Sequence, residues 1–108
     1  AVSLWSSEVI EALRSEGHPI APGLAGENIT ISGTDWATIR PGARFDFGES
    51  GPLLEATGWA TPCSNLAPYF VDRDVRRIDV DHHPGFSRLY AKVLRDGTVN
   101  TDESVRVF

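Results

Sequence analysis

The segment RLYAKVL, residues 88–94, decides how the chain folds, because its side chains alternate in a regular pattern. Leucine, alanine and valine occupy positions 89, 91 and 93, whereas tyrosine, lysine and leucine occupy positions 90, 92 and 94. Side chains of a β-strand point alternately to its two faces, so this spacing predicts a strand with one buried face. The DG pair at positions 96 and 97 predicts a tight hairpin turn directly after that strand.

Four other segments are predicted strands, and one segment is a predicted helix. The strands are expected at residues 29–31 (ITI), 43–47 (ARFDF), 53–59 (LLEATGW) and 105–108 (VRVF). The helix is expected from Ser6 to Glu16, where a serine can cap its N-terminus and Gly17 can end it. Short strands, frequent Gly and Pro turns and a single N-terminal helix indicate a mostly β, barrel-like domain with short helical turns.

Length and composition limit the class of protein. The 108 residues suffice for a single domain over 1–108, and 41% hydrophobic and 23% charged residues are ordinary for a globular chain. No apolar run approaches the roughly 20 residues that a membrane helix needs, and no signal peptide opens the chain, so a cytoplasmic protein with no membrane partner is expected. The net charge of −5 argues against a nucleic-acid partner, which would require a basic face.

Cys63 is the single cysteine of the chain, in the segment TPCSN at residues 61–65. A lone cysteine excludes a disulfide within the chain and a structural zinc site made of several cysteines. Pro62 restricts the backbone before it, and Ser64 can begin a short helical turn whose N-terminal N–H groups favour a thiolate. The residues leave two interpretations open, a reactive thiol or an inert cysteine packed in the core.

The segment DHHPGFSR, residues 81–88, carries the second group of candidate residues. Gly85 permits a close backbone approach, Ser87 offers a hydroxyl, and Arg88 can clamp a phosphate or pair with a carboxylate. The adjacent histidines at positions 82 and 83 point in opposite directions on an extended chain, so a solvated loop is favoured over a metal site.

Two further patterns carry no specific signal. The arginines at positions 73, 76 and 77 are interspersed with aspartates, which is typical of a solvated charged segment. The glycines of the loop at residues 22–28 lack the spacing of a dinucleotide or P-loop motif. No clear motif encodes a nucleotide or zinc cofactor, and the residues alone indicate a β-rich domain with one thiol and anion contacts.

Six short segments, in order along nearly the whole chain, match the motifs of a known family. They are residues 21–23 (APG), 26–30 (GENIT), 33–36 (GTDW), 41–44 (PGAR), 61–63 (TPC) and 83–94 (HPGFSRLYAKVL). In this order they resemble the MOSC domain, the C-terminal domain of molybdenum cofactor sulfurase, in its small stand-alone bacterial type. Residues 97–99 and Asp102 resemble the closing motif of the family, in which Thr101 replaces the usual glycine. In the segment at residues 33–36, Thr34 replaces the usual aliphatic residue.

The resemblance implies a β-barrel-like fold and a role in molybdenum cofactor (molybdopterin) chemistry. It implies that Cys63 carries sulfur as a persulfide or ligates molybdenum, because a thiolate is both a sulfur nucleophile and a soft metal ligand. It implies that Arg88, Ser87, Gly85 and Asn28 bind the cofactor, with Arg88 and Ser87 at the phosphate of its pterin. The implied partners are a cysteine desulfurase or a molybdoenzyme, and the implied activity is sulfur transfer or a part in a molybdenum-dependent reductase.

Two rival functions stay open at this point. The domain could bind a pterin or another anion without catalysis, or it could be a structural MOSC-like domain whose Cys63 is packed and inert. Members of the family usually have a further N-terminal segment before the position that matches Val2. An incomplete barrel with an open strand edge is therefore expected, and such an edge favours a homodimer.

Overall fold

A computed structural model describes residues 2–100 and 104–108 of the chain. In these residues six strands form one curled sheet, half of a barrel. The strands are β1 (Val2–Ser6), β2 (Ile29–Ile31), β3 (Arg44–Asp46), β4 (Leu53–Trp59), β5 (Leu89–Arg95) and β6 (Arg106–Val107). Helix α1 is Ser7–Ser15, and 3-10 turns lie at Trp36–Thr38, Ser64–Tyr69, Val71–Arg73 and Val75–Ile78. The prediction of a mostly β fold with one N-terminal helix and short helical turns is confirmed.

The two longest strands, β4 and β5, lie at the centre of the sheet, whose order is β2-β1-β5-β4-β3-β6. Neighbouring strands are antiparallel, except that β1 and β2 are parallel. Trp59 at the end of β4 pairs with Leu89 at the start of β5. The segment after β4, which carries Cys63, therefore leaves the sheet beside the segment that enters β5.

One hydrophobic core joins the sheet to the helix and the 3-10 turns. Helix α1 buries the apolar face formed by Val9, Ile10 and Leu13. The largest fully buried apolar side chains of the described residues are Trp5, Phe45, Leu4, Ile10, Leu13, Ile20, Leu54, Ile78 and Leu89. Burying one such side chain stabilises a fold by about 1.5–3 kcal/mol. The core therefore fixes the sheet, the helix and the turns at residues 64–78 relative to one another.

Helix α1 begins and ends within one residue of its prediction. Ser6 is the N-cap, and its Oγ accepts a hydrogen bond from the backbone N–H of Val9 at 3.2 Å. Glu8 lies in the first turn, where the helix dipole favours a negative charge. Glu16 is the C-cap, and Gly17 follows with a φ of +97°, a conformation that glycine adopts readily.

The topology of the sheet differs from the sequence expectation in two places. The sequence predicts no strand before the helix, yet Val2–Ser6 is β1, which lies between β2 and β5. The DG pair does not close a hairpin, because β5 pairs with β1 and β4 whereas β6 pairs with β3. Val93, which was expected on the buried face of β5, is 45% exposed, since the described part of β1 pairs with β5 only as far as Ala91.

The other predicted strands lie within one residue of their expected ends. Thr101 and Asp102, which were assigned to the closing motif of the family, lie outside the described residues. In the part of the chain that the structure describes, no helix is long and apolar enough to cross a membrane.

Candidate functional site around Cys63

Cys63 lies on the surface, three residues beyond Ala60, which directly follows β4. Its thiol is free and exposed, so the side chain is not part of the buried core. The residue directly precedes the 3-10 turn at Ser64–Tyr69, and its carbonyl accepts a hydrogen bond from the N–H of Leu66 at 3.1 Å. The predicted short helical turn after Cys63 is therefore present, and the thiol can be reached from solvent.

Arg88 lies beneath the segment that leads to Cys63, and only 7% of the residue is exposed. One terminal nitrogen, Nη1, donates to the carbonyl of Ala25 at 2.8 Å, and the other, Nη2, donates to the carbonyl of Thr61 at 3.4 Å. The backbone N–H of Ala60 donates to the carbonyl of Arg88 at 2.8 Å. The guanidinium thus connects the cysteine segment to the loop at residues 22–28. Its Nε is buried and has no partner among the described residues.

Ser87 lies inside the fold, whereas Gly85 is half-buried. Ser87 is fully buried, and its Oγ donates to the carbonyl of Ile78 at 2.6 Å. Gly85 has a φ of +88°, and a Cβ at this position would approach the Cβ of Ala37 to 3.0 Å. Gly85 also lines a hollow of about 350 Å³ next to Trp36 and the start of α1.

Two tryptophans hold the backbone of this same segment. Nε1 of Trp5 donates to the carbonyl of Phe86 at 3.0 Å, and Nε1 of Trp36 donates to the carbonyl of Ser87 at 2.7 Å. Both rings belong to the core, with at most 3% of either residue exposed. The backbone that presents Arg88 is therefore fixed from two sides.

Asn28 is the last residue of the loop at residues 22–28, and it contacts β1. Its Oδ1 accepts a hydrogen bond from the N–H of Ser3 at 2.8 Å, and this contact ties the start of β2 to β1. It lines a cleft of about 750 Å³ that is bordered by β2 and by residues around Val105 near β6. Neither this cleft nor the hollow at Gly85 is lined by Cys63 or Arg88.

Glu27 was not among the site residues predicted from the sequence. It is 8% exposed, and its Oε2 accepts hydrogen bonds from the N–H of Gly23 at 2.9 Å and from the hydroxyl of Thr30 at 3.2 Å. Its Oε1 is buried without a partner among the described residues. The signal for it was an acidic residue within a glycine-rich loop, where a carboxylate can bind the loop's own N–H groups.

The charged segment before Arg88 forms ion pairs at the surface. Arg76 donates to both carboxylate oxygens of Asp74 at 2.8 and 3.0 Å, and these hydrogen bonds lower the pKa of Asp74 to about 2. Arg77 donates to Glu16 at 2.9 and 2.6 Å and holds the pKa of that carboxyl below its ordinary value. The histidines at positions 82 and 83 are exposed, and no group of three His, Cys, Asp or Glu side chains in residues 2–100 and 104–108 is arranged to bind a metal.

Comparison with known proteins identifies the family. The profile of the MOSC domain matches residues 1–106, and the chain belongs to this family, which is associated with molybdenum-cofactor-related function. The fold is similar to the crystal structure of YiiM from Geobacillus stearothermophilus, with a TM-score of 0.79 and 24% sequence identity. The match covers 100% of this chain and 54% of that chain, so this chain spans about half the length of the solved structure. None of the curated proteins matches the chain.

Proposed function

We propose that this domain serves molybdenum cofactor chemistry through Cys63, as a sulfur carrier or as a cofactor-binding domain. The observation that carries the proposal is the exposure of the chain's single thiol just beyond the end of β4, outside the buried core. A sulfur donor or a metal can reach an exposed thiol, whereas a deeply buried cysteine is inert. The association of the family with molybdenum-cofactor-related function gives this thiol its chemical context.

The groups near Cys63 suit such a cofactor. A cysteine thiolate is the soft ligand that a molybdenum centre would take from this protein. The buried Nε of Arg88 is a cationic donor with no partner among the described residues, and an anionic phosphate would complement it. When bound, the cofactor would supply the metal and the pterin, and Cys63 and Arg88 would hold its two ends.

The roles of the other predicted residues follow from their present contacts. Ser87 can reach a pterin phosphate only if its hydroxyl leaves the carbonyl of Ile78, whereas Arg88 can offer its Nε while its terminal nitrogens stay on the carbonyls of Ala25 and Thr61. Gly85 and Asn28 stay proposed cofactor contacts, each in its own depression. Cys63 is therefore the residue on which the proposal rests.

As a sulfur carrier, Cys63 would react with a cysteine desulfurase. Its thiolate would attack the outer sulfur of a persulfide on that enzyme, breaking one S–S bond while forming another, and would release the enzyme's thiolate. The exchange needs no external oxidant, because one persulfide replaces another. A molybdoenzyme that matures its cofactor would be the acceptor in the next step.

Mass spectrometry after incubation with a cysteine desulfurase, pyridoxal phosphate and cysteine tests the sulfur-carrier role. We expect one added sulfur, located on Cys63, and no added sulfur in Cys63→Ser. A matched control moves the thiol by one residue, by combining Cys63→Ser with Ser64→Cys, and we expect slower loading at this exposed neighbouring position. Equal loading of the wild type and the displaced thiol would show that the position has no special role.

Molybdenum ligation and the non-catalytic alternative are separated by cofactor binding. We expect purified molybdenum cofactor to bind the wild type, as read from pterin fluorescence after oxidative release, and to bind Cys63→Ser more weakly. Equal binding to both proteins, together with no sulfur loading, would favour a pterin-binding module without a reactive cysteine. A folded wild type that neither loads sulfur nor retains the cofactor would refute the proposal.

A further inference from the structure

We infer that Arg88 is a positioning residue, whose buried guanidinium holds the Cys63 segment in place against the loop at residues 22–28. This inference rests on the proposed function of Cys63. It assigns the terminal nitrogens of Arg88 to protein carbonyls in the working state and leaves only its Nε for an anionic ligand.

The two hydrogen bonds of Arg88 join segments that are far apart in the sequence. Ala25 lies 63 residues before Arg88, and Thr61 lies 27 residues before it and two residues before Cys63. The guanidinium presents several donors in one rigid plane, so it can bind both carbonyls at once. The side chain therefore ties the backbone two residues before Cys63 directly to the loop.

The charge of Arg88 is otherwise expensive to bury. Only 7% of the residue is exposed, and no carboxylate among the described residues lies within 4.0 Å of its nitrogens. An apolar side chain could fill this space without the desolvation penalty of a cation. What an apolar side chain could not do is hold the carbonyls of Ala25 and Thr61 together.

The loop at residues 22–28, which Arg88 contacts at Ala25, is also held by hydrogen bonds of its own. Glu27 accepts the N–H of Gly23 and the hydroxyl of Thr30 from within the loop. With Gly23 fixed by Glu27 and Ala25 fixed by Arg88, the loop is a firm support. Thr61 and the thiol two residues later are held against that support rather than against a mobile surface.

The first test compares Arg88→Lys with Arg40→Lys. Arg40 also donates to two backbone carbonyls, those of Ala37 and Ile39, but it is exposed and does not contact the cysteine segment. A lysine ammonium keeps the charge but lacks the planar fork that reaches two carbonyls. We expect the maximal rate of sulfur loading per folded molecule to fall roughly 10- to 100-fold in Arg88→Lys, as for misplaced reacting groups, and to be unchanged in Arg40→Lys.

Hydrogen exchange gives a readout that does not depend on sulfur chemistry. We expect the amide of Leu66, bonded to the carbonyl of Cys63, and the amide of Gly26, bonded to the carbonyl of Gly23, to exchange faster in Arg88→Lys. Unchanged exchange at both amides would overturn the positioning role even if the wild type loads sulfur. Faster exchange in a protein whose wild type neither loads sulfur nor retains the cofactor would support the positioning role of Arg88 and refute the proposed function.

A measurement on the wild type covers the case in which Arg88→Lys does not fold. The terminal N–H groups of Arg88 should give separate signals in low-temperature NMR spectra. Two hydrogen bonds to fixed carbonyls slow the rotation that would otherwise average these signals. Averaged signals from a freely rotating guanidinium would overturn the inference. In Arg88→Ala, added methylguanidinium should restore part of the loading rate, and no restoration in a folded Arg88→Ala protein would likewise count against it.

Discussion

The substitution Ser87→Ala tests whether Ser87 stabilises the fold or binds the cofactor. Ser87 is fully buried, and its hydroxyl donates to the carbonyl of Ile78 at 2.6 Å. Alanine removes that donor and leaves the carbonyl in a region where Ile78 itself is 1% exposed. A buried acceptor that loses its partner destabilises a fold by about 1–3 kcal/mol.

The magnitude translates into a measurable thermal shift. For a domain of this size a loss of 1 kcal/mol lowers the Tm by roughly 4–8 °C, so a loss near 2 kcal/mol corresponds to roughly 8–16 °C. Ser15→Ala is the matched control, because its hydroxyl donates to the carbonyl of Ala12 at 2.7 Å in an exposed position. Water replaces an exposed hydrogen bond, so the control should stay within about 0.5 kcal/mol of the wild type.

Urea denaturation of the wild type, Ser87→Ala and Ser15→Ala provides the assay. We expect a lower midpoint for Ser87→Ala with an unchanged slope, and an unchanged rate of Cys63 labelling in the folded protein at low urea. The reasoning would be refuted if Ser87→Ala had the stability of the wild type and lost cofactor binding. That result would place the hydroxyl at the cofactor instead of at Ile78.

Three further predictions address the core, the surface charges and assembly. Trp36→Phe removes the donor of the 2.7 Å bond to the carbonyl of Ser87 and should lower the free energy of unfolding by about 1–3 kcal/mol in urea titrations. Because the hydrogen-bonded Arg77 lowers the pKa of Glu16, this pair stabilises the fold above the ordinary carboxyl value of 4.5 and stops doing so as the pH falls through the lowered pKa. Glu16→Gln should therefore be slightly less stable than the wild type at pH 7, by less than about 1 kcal/mol at this exposed site, and the difference should vanish in strong acid. The open edges of β2 and β6 predict a homodimer, and sedimentation equilibrium that shows only monomer over a wide concentration range would contradict it.

Local patterns were sufficient to predict most of the strands and the helix. Alternation in residues 88–94 depends on neighbouring positions alone, and this strand is present as β5. The cap of α1 is likewise a contact between Ser6 and Val9, three residues apart. The pairing of β4 with β5 then brings the Cys63 segment beside Arg88, since the end of one antiparallel strand lies next to the start of its neighbour.

Strand β1 was not predicted, because apolar and polar residues do not alternate along its sequence. Four of its five residues, from Ser3 to Ser6, are buried, so the segment lacks the period of a strand with one solvated face. Its partners are β2 and β5, and the register with β5 joins Leu4 to Leu89 across most of the chain. A pairing of this kind is decided by the whole sheet and leaves no local signal.

The glycine of the DG pair is needed for close packing of two backbone segments and not for a hairpin turn. A Cβ on Gly97 would overlap the backbone of Gly51, so glycine is required where the two backbones approach closely. The N–H of Thr98 donates to the carbonyl of Ser50 at 3.1 Å in the same contact. The chain therefore packs against the turn before β4 instead of reversing into a hairpin.

The segment at residues 83–94 shows why polar residues in a family motif cannot be assigned to a ligand from the sequence alone. The carbonyls of Phe86 and Ser87 accept hydrogen bonds from the indoles of Trp5 and Trp36, which lie 81 and 51 residues away in the sequence. These contacts turn this segment inward, so that the hydroxyl of Ser87 and the guanidinium of Arg88 meet backbone carbonyls. The thiol of Cys63 is exposed and has no such anchor among the described residues. Because a buried donor already bound to a carbonyl gains little from a ligand, we propose that the chemistry of this site takes place at the exposed thiol and that the buried residues position it.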